Sequence, residues 1–116
     1  MEKITNARIK EEYLRIKHKS GATILLYPMK GYSTAYALFA TKYGSVDTTF
    51  KTNEDPDFVT VPEGIAHYLE HKLFENDECD AFDLYAKTGA NANAYTSFDK
   101  TAYYFSCTEN FSKALE

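Results

Sequence analysis

Gly64-Ile65-Ala66-His67-Tyr68-Leu69-Glu70-His71-Lys72-Leu73-Phe74-Glu75 is the stretch on which the reading of this chain turns. It carries an H-x-x-E-H array in a segment with helical character. On a helix, positions i, i+3 and i+4 lie on one face, one turn apart. His67, Glu70 and His71 therefore project to the same side. Two histidines at that spacing can hold one Zn²⁺ through ring nitrogens, and the carboxylate can reach a metal-bound water. This is the inverzincin order, the reverse of H-E-x-x-H. Thr60-Val61-Pro62-Glu63 just upstream has the form of a capping box with an early proline, which predicts a helix from about Val61 to Glu75. At 100° per residue, Ile65, Leu69 and Leu73 fall opposite the metal sector, the expected packing face. The bland alternative is a surface helix with two solvated histidines and a glutamate.

Working outward, the rest of the chain alternates strands and turns. Tyr13 to His18 and Thr23 to Tyr27 read as a hairpin about Ser20-Gly21. Ser33 to Tyr43 is a longer strand, with Tyr36 and Leu38 on one face and Phe39 and Tyr43 on the other. Gly44-Ser45 turns the chain into a short extended piece, Val46 to Phe50. Thr52 to Thr60 is a polar, acidic loop, either a solvated connector or a rim beside the metal helix. A second helix is predicted from Asp80 to Thr88, with Gly89 at its C′ position. Asn91 to Ser97 and Thr101 to Cys107 form a second hairpin. Asn110 or Thr108 is positioned to cap a third helix with Phe111 and Leu115 on its apolar side. The expected fold class is α+β, a mostly antiparallel sheet with helices packed on one face.

Composition narrows the function classes. The 116 residues suffice for one small domain, and the formal net charge is −4. Lysines and arginines are scattered rather than set in a basic stripe with aromatics, so a nucleic-acid surface is not expected. No apolar run approaches membrane-spanning length. Met1 to Glu12 is charged and lacks the apolar core of a signal peptide, so the expected location is cytoplasmic. Cys79 and Cys107 fit that location as free thiols. Cys79 reads as an ordinary residue near a helix start rather than as a zinc ligand.

These segments together resemble the pitrilysin family of metallopeptidases, which includes insulin-degrading enzyme and the mitochondrial processing peptidases. Gly64 to Glu75 resembles the family's zinc helix. Tyr43-Gly44-Ser45-Val46-Asp47 looks like its strand-end turn. Gly89 followed by Asn93-Ala94-Tyr95-Thr96-Ser97 looks like its substrate-binding edge strand, and Thr101 to Phe105 like the strand paired with it. Order and spacing agree from about Tyr13 to Glu116, and the wording is most similar to bacterial processing-peptidase-like members.

The resemblance implies Zn²⁺ held by His67 and His71, Glu70 as general base, and Asn93 and Ala94 as hydrogen-bonding partners of an extended peptide. That mode is β-augmentation; the bland reading of the same strand is an edge kept polar against aggregation. In the family the third zinc ligand is a glutamate on a later helix, which here would lie beyond Glu116. Glu75 turns away from the metal sector, and Glu78 and Glu109 have no positional argument as ligands. Residues 1–116 are accordingly expected to be the N-terminal part of a larger peptidase domain, inactive alone and with apolar surface left exposed. Its partners would be a peptide or unfolded substrate and the remaining half of the peptidase or a homologous subunit. The alternative is a subunit that holds peptides without cleaving them.

Overall fold

The computed structural model describes residues 1–75 and 80–116; Glu78 and Cys79 lie outside the described residues. The chain divides into two compact units, Met1–Tyr32 and Ser33–Glu116. The first is a three-stranded antiparallel sheet of β1 (Glu2–Asn6), β2 (Glu11–Lys17) and β3 (Thr23–Leu26), in that order. β2 and β3 are the hairpin expected from the Ser20-Gly21 turn, where Gly21 adopts φ 91°. β1 was not expected from its polar sequence. It forms by pairing with β2, and its charges become cross-strand partners: Lys3 contacts Glu12 at 2.7 Å and Arg15 contacts Glu2 at 2.7 Å.

The second unit is built on a three-stranded antiparallel sheet of β4 (Ala35–Thr41), β7 (Asn91–Thr96) and β8 (Thr101–Cys107), with β8 central. A small ladder joins β5 (Thr49–Phe50) to β6 (Val59–Thr60). Among the described residues three helices complete the unit: α1 (Ile65–Phe74), α2 (Ala81–Thr88) and α3 (Phe111–Leu115). Ala92 and Phe105 lie opposite each other in the β7–β8 register and pack with Cys107 and Ala114 as the buried core. Phe74 of α1 and Tyr85 of α2 pack against the same cluster, so the helices share one face of the sheet. The α+β antiparallel architecture expected from the sequence is the one observed.

Two helix starts differ from expectation. α1 begins at Ile65, after Gly64 at φ 87°, and no side chain caps it. Thr60 is held in β6, where its hydroxyl lies 3.2 Å from that of Thr49, and the next residue's N–H bonds to the Thr48 carbonyl. A residue locked into a strand ladder cannot serve as the N-cap, so the capping box does not form. At α3, Asn110 is the N-cap in left-handed conformation, but its side-chain amide donates to the Thr88 carbonyl at the end of α2. α2 follows the sequence reading closely. The Asp80 carboxylate accepts the Phe82 N–H at 2.8 Å, and Gly89 closes the helix at φ 77°.

The packed face of α1 also differs. Ala66 and Glu70 are buried and Phe74 half-buried, whereas Leu69 and Leu73 are 45% and 62% exposed. The side chains that β7 presents to the helix are Ala92, Ala94 and Thr96, all small. Small residues on both elements permit close approach, so the sheet takes the Ala66–Glu70–Phe74 stripe and not the leucines. Cys107 is a buried free thiol.

The Gly44 turn docks on the β7–β8 hairpin. Ser45 N–H donates to the Ser97 carbonyl at 3.0 Å and Val46 N–H to the Phe98 carbonyl at 3.1 Å. A Cβ on Gly44 would lie 2.3 Å from the Phe98 carbonyl oxygen and 2.5 Å from the Asp99 nitrogen, both backbone atoms. Gly44→Ala is therefore expected to destabilise the unit by about 2 kcal/mol or more, read as a lowered midpoint in urea unfolding. An unchanged midpoint would contradict this docking.

Candidate metal and peptide site

α1 brings the two histidines together. Their Nε2 atoms are 3.1 Å apart and their ring centroids 4.7 Å apart, nearly perpendicular. Two imidazole nitrogens at the usual distance from one tetrahedral zinc stand about 3.3 Å apart. The observed separation corresponds to that arrangement with a slightly narrow angle, so the pair fits a shared zinc. The same distance would also suit a single proton shared between the rings. His67 Nδ1 lies 3.5 Å from Glu70 Oε2, a contact that favours the tautomer with Nε2 free to ligate.

Glu70 sits beneath the histidines, against the sheet. Its carboxylate is nearly buried and accepts a hydrogen bond from the Thr96 hydroxyl at 3.0 Å. The Thr101 hydroxyl lies 3.5 Å from that of Thr96 and donates to the Tyr43 carbonyl at 2.8 Å. Burial raises the Tyr103 phenol above its ordinary pKa, and the Glu70 charge raises it further. A buried carboxylate with one hydroxyl donor is poorly compensated, and a cation bound above it would supply the missing charge.

Glu75, at the end of the helix, pairs with Lys72 at 2.9 Å, which holds its carboxyl below the ordinary range. It lines the same cavity as His71, with its carboxylate taken up by Lys72. Among the described residues, no group of three His, Cys, Asp or Glu side chains is placed to hold one ion.

Among the described residues β7 has no strand partner on its other edge, and the strand pairing sets which residues face that edge. Ser97 N–H donates to the Lys100 carbonyl, continuing the β7–β8 register. Bonded pairs alternate along an antiparallel ladder. Asn91, Asn93 and Tyr95 therefore bond to β8, while the backbone groups of Ala92, Ala94 and Thr96 point outward. The Ala94 N–H is accepted by its neighbour's side chain, Asn93 Oδ1, at 2.8 Å. A cavity of about 230 Å³ separates this edge from the helix, lined by Glu70, His71, Phe74, Glu75, Asp80, Phe82, Asn93 and Ala94. Phe74 and Phe82 stack there with centroids 4.6 Å apart. A larger cavity, about 430 Å³, lies between α2 and α3 but contains no histidine; the smaller one adjoins the chemistry. The sequence indicated His67, Glu70, His71, Asn93 and Ala94. It did not single out Thr96, Thr101 or Phe82, whose relation to the site arises only when the hairpin folds under α1.

Residues 60–116 match the model of the insulinase family, peptidase family M16. The chain belongs to that family. It is 46% identical over 109 residues to an uncharacterized zinc protease, YmfH, of Bacillus subtilis, covering 94% of this chain and 26% of that protein. It is 34% identical over 113 residues to insulin-degrading enzyme-like 2 of Arabidopsis thaliana, covering 92% of this chain and 11% of that protein. A crystal structure described as an M16-like peptidase from Alicyclobacillus acidocaldarius superposes with a TM-score of 0.80 at 44% identity, over 89% of this chain and 24% of that one. This M16 chain thus spans about a quarter of the length of its Bacillus relative and of that solved chain. No helix among the described residues is long and apolar enough to cross a membrane.

The histidine pair generates a direct expectation. Isothermal titration of this chain should show one zinc per molecule, with affinity falling at least about ten-fold in His67→Ala and in His71→Ala. Equal affinity in the variants would place the metal elsewhere.

Proposed function

We propose that this chain is the N-terminal part of a zinc-dependent endopeptidase that hydrolyses peptide bonds in extended peptides. The observation that carries the reading is the convergence of the His67 and His71 Nε2 atoms above a buried Glu70, with His71 across a cavity from Asn93 and Ala94 of β7. When bound, zinc supplies Lewis acidity, which polarises a scissile carbonyl and acidifies water. His67 and His71 hold it through Nε2. The third protein ligand we assign to a glutamate on a later helix beyond Glu116, as the family resemblance implies.

The substrate backbone pairs with the outward groups of Ala92, Ala94 and Thr96 as an added strand. Asn93 Oδ1 gives up the Ala94 N–H to the incoming carbonyl, so the side chain keeps that donor satisfied until substrate arrives. Main-chain pairing makes affinity tolerant of side-chain sequence. It also aligns the peptide past His71 and Glu70, with the Phe74–Phe82 cavity available to a side chain. Glu70 accepts the proton of the attacking water at its carboxylate and delivers it to the departing amine. Remoteness from bulk water strengthens that electrostatic coupling. The remaining half of the peptidase, or a homologous subunit, completes the chamber. A cytoplasmic location accords with the free Cys107 thiol.

The second reading, a subunit that holds peptides without cleaving them, uses the same edge but gives Glu70 no task. The two part on one variant. In the protein at full length, Glu70→Gln is expected to retain zinc and peptide binding while lowering kcat by about 10³-fold or more. Unchanged turnover would sink the assignment of the base. Ala94→Pro deletes an outward N–H and leaves the β7–β8 ladder intact. It is expected to raise KM about ten-fold, with circular dichroism unaltered; an unchanged KM would rule out strand addition at this edge.

A further inference from the structure

We propose that Thr96 is a positioning residue for Glu70, fixing the carboxylate so that one oxygen is held and the other is free for proton transfer. The inference rests on the reading of Glu70 as the general base. The contact joins residues 26 positions apart, Thr96 Oγ1 donating to Glu70 Oε2 at 3.0 Å. The ionised carboxylate has no proton to give, so the hydroxyl is the donor. Thr96 and Thr101 are directly opposite in the β7–β8 register, at a non-bonded pair where side chains approach closely. A threonine hydroxyl has one proton to give. The Thr101 proton goes to the Tyr43 carbonyl at 2.8 Å, and Thr101 is 2% exposed, with little access to water. The Thr96 proton is left for the carboxylate.

Threonine suits this task better than serine on geometric grounds. Its branched Cβ restricts χ1, so the hydroxyl is held ready rather than recruited. The Tyr43 carbonyl that engages Thr101 precedes Gly44, whose close docking on the hairpin turn holds that carbonyl in place. Backbone of one loop thus orients Thr101, the close approach of Thr101 and Thr96 across the pair confines the donor sterically, and the donor orients the base. Thr96 holds Oε2, which also lies 3.5 Å from His67 Nδ1. Oε1 remains for the water. Catalysis is sensitive to displacements of about 1 Å at such a group, on the order of 10²-fold.

The test compares Thr96→Val, which keeps the branched shape and removes the hydroxyl, with Thr96→Ser, which keeps the hydroxyl. Both are made in the zinc-loaded protein at full length. Thr96→Val is expected to lower kcat about 10- to 100-fold, with KM and zinc stoichiometry unchanged; Thr96→Ser should recover most of the loss. Full activity in Thr96→Val overturns the proposal. So does equal damage in both variants, or a fall in zinc content alongside kcat, because either outcome marks a merely structural threonine. Crystal structures of the variants give an independent readout: Glu70 should leave its rotamer in Thr96→Val and keep it in Thr96→Ser. An unmoved Glu70 in Thr96→Val overturns the proposal whatever the activity. A displaced Glu70 in a protein whose wild type cleaves nothing would uphold the positioning role and defeat the peptidase reading instead.

Discussion

The seating of α1 on β7 and β8 is the constraint on which the candidate site depends. The helix meets the sheet through Ala66, Glu70 and Phe74, with a carboxylate at the centre of the contact. Burying a carboxylate is costly, and an apolar residue at that position would pack with less penalty. The arrangement makes sense if the charge is needed beneath the histidines. Its hydrogen bond to Thr96 ties the helix to the hairpin at one register, and that register places His71 across a cavity from Asn93 and Ala94 of β7.

The same constraint explains the composition of β7. Its inward side chains are Ala92, Ala94 and Thr96, too small to make a large core of their own. The core sits further along, around Phe105, Cys107 and Ala114. Weak packing at the edge is the cost of letting a helix bearing polar residues approach closely. Among the described residues the outward backbone groups of the strand have no ladder partner, and Asn93 satisfies one of them locally. An edge of this kind resists aggregation through its polar, short character, yet still offers main-chain groups to an extended chain.

The leucines of α1 follow from the packing as well. Once the sheet takes the glutamate stripe, Leu69 and Leu73 face outward, together with Tyr68. An amphipathic helix ordinarily buries its apolar stripe, so the usual rule selects the wrong face here. Exposed apolar side chains on the helix that carries the metal residues give this region a surface suited to contact with further protein.

By itself the sequence determined what depends on neighbours in the chain. H-x-x-E-H spacing converges two imidazoles within one helical turn, Asp80 and Gly89 bound α2, and Ser20-Gly21 and the segment about Asp99 turn the two hairpins. The polar β1 escaped notice because its stability comes from β2 across the pair, and no periodic apolar signal marks it. Tertiary structure decided which side of α1 is buried, since helical angles report relative direction and not what lies opposite. It withdrew Thr60 from its cap, because a strand ladder with Thr49 competed for the same residue. Above all it joined Thr96 to Glu70. That link is a hydrogen bond across 26 residues of chain, and only the folding of a hairpin beneath a helix brings those oxygens within 3 Å.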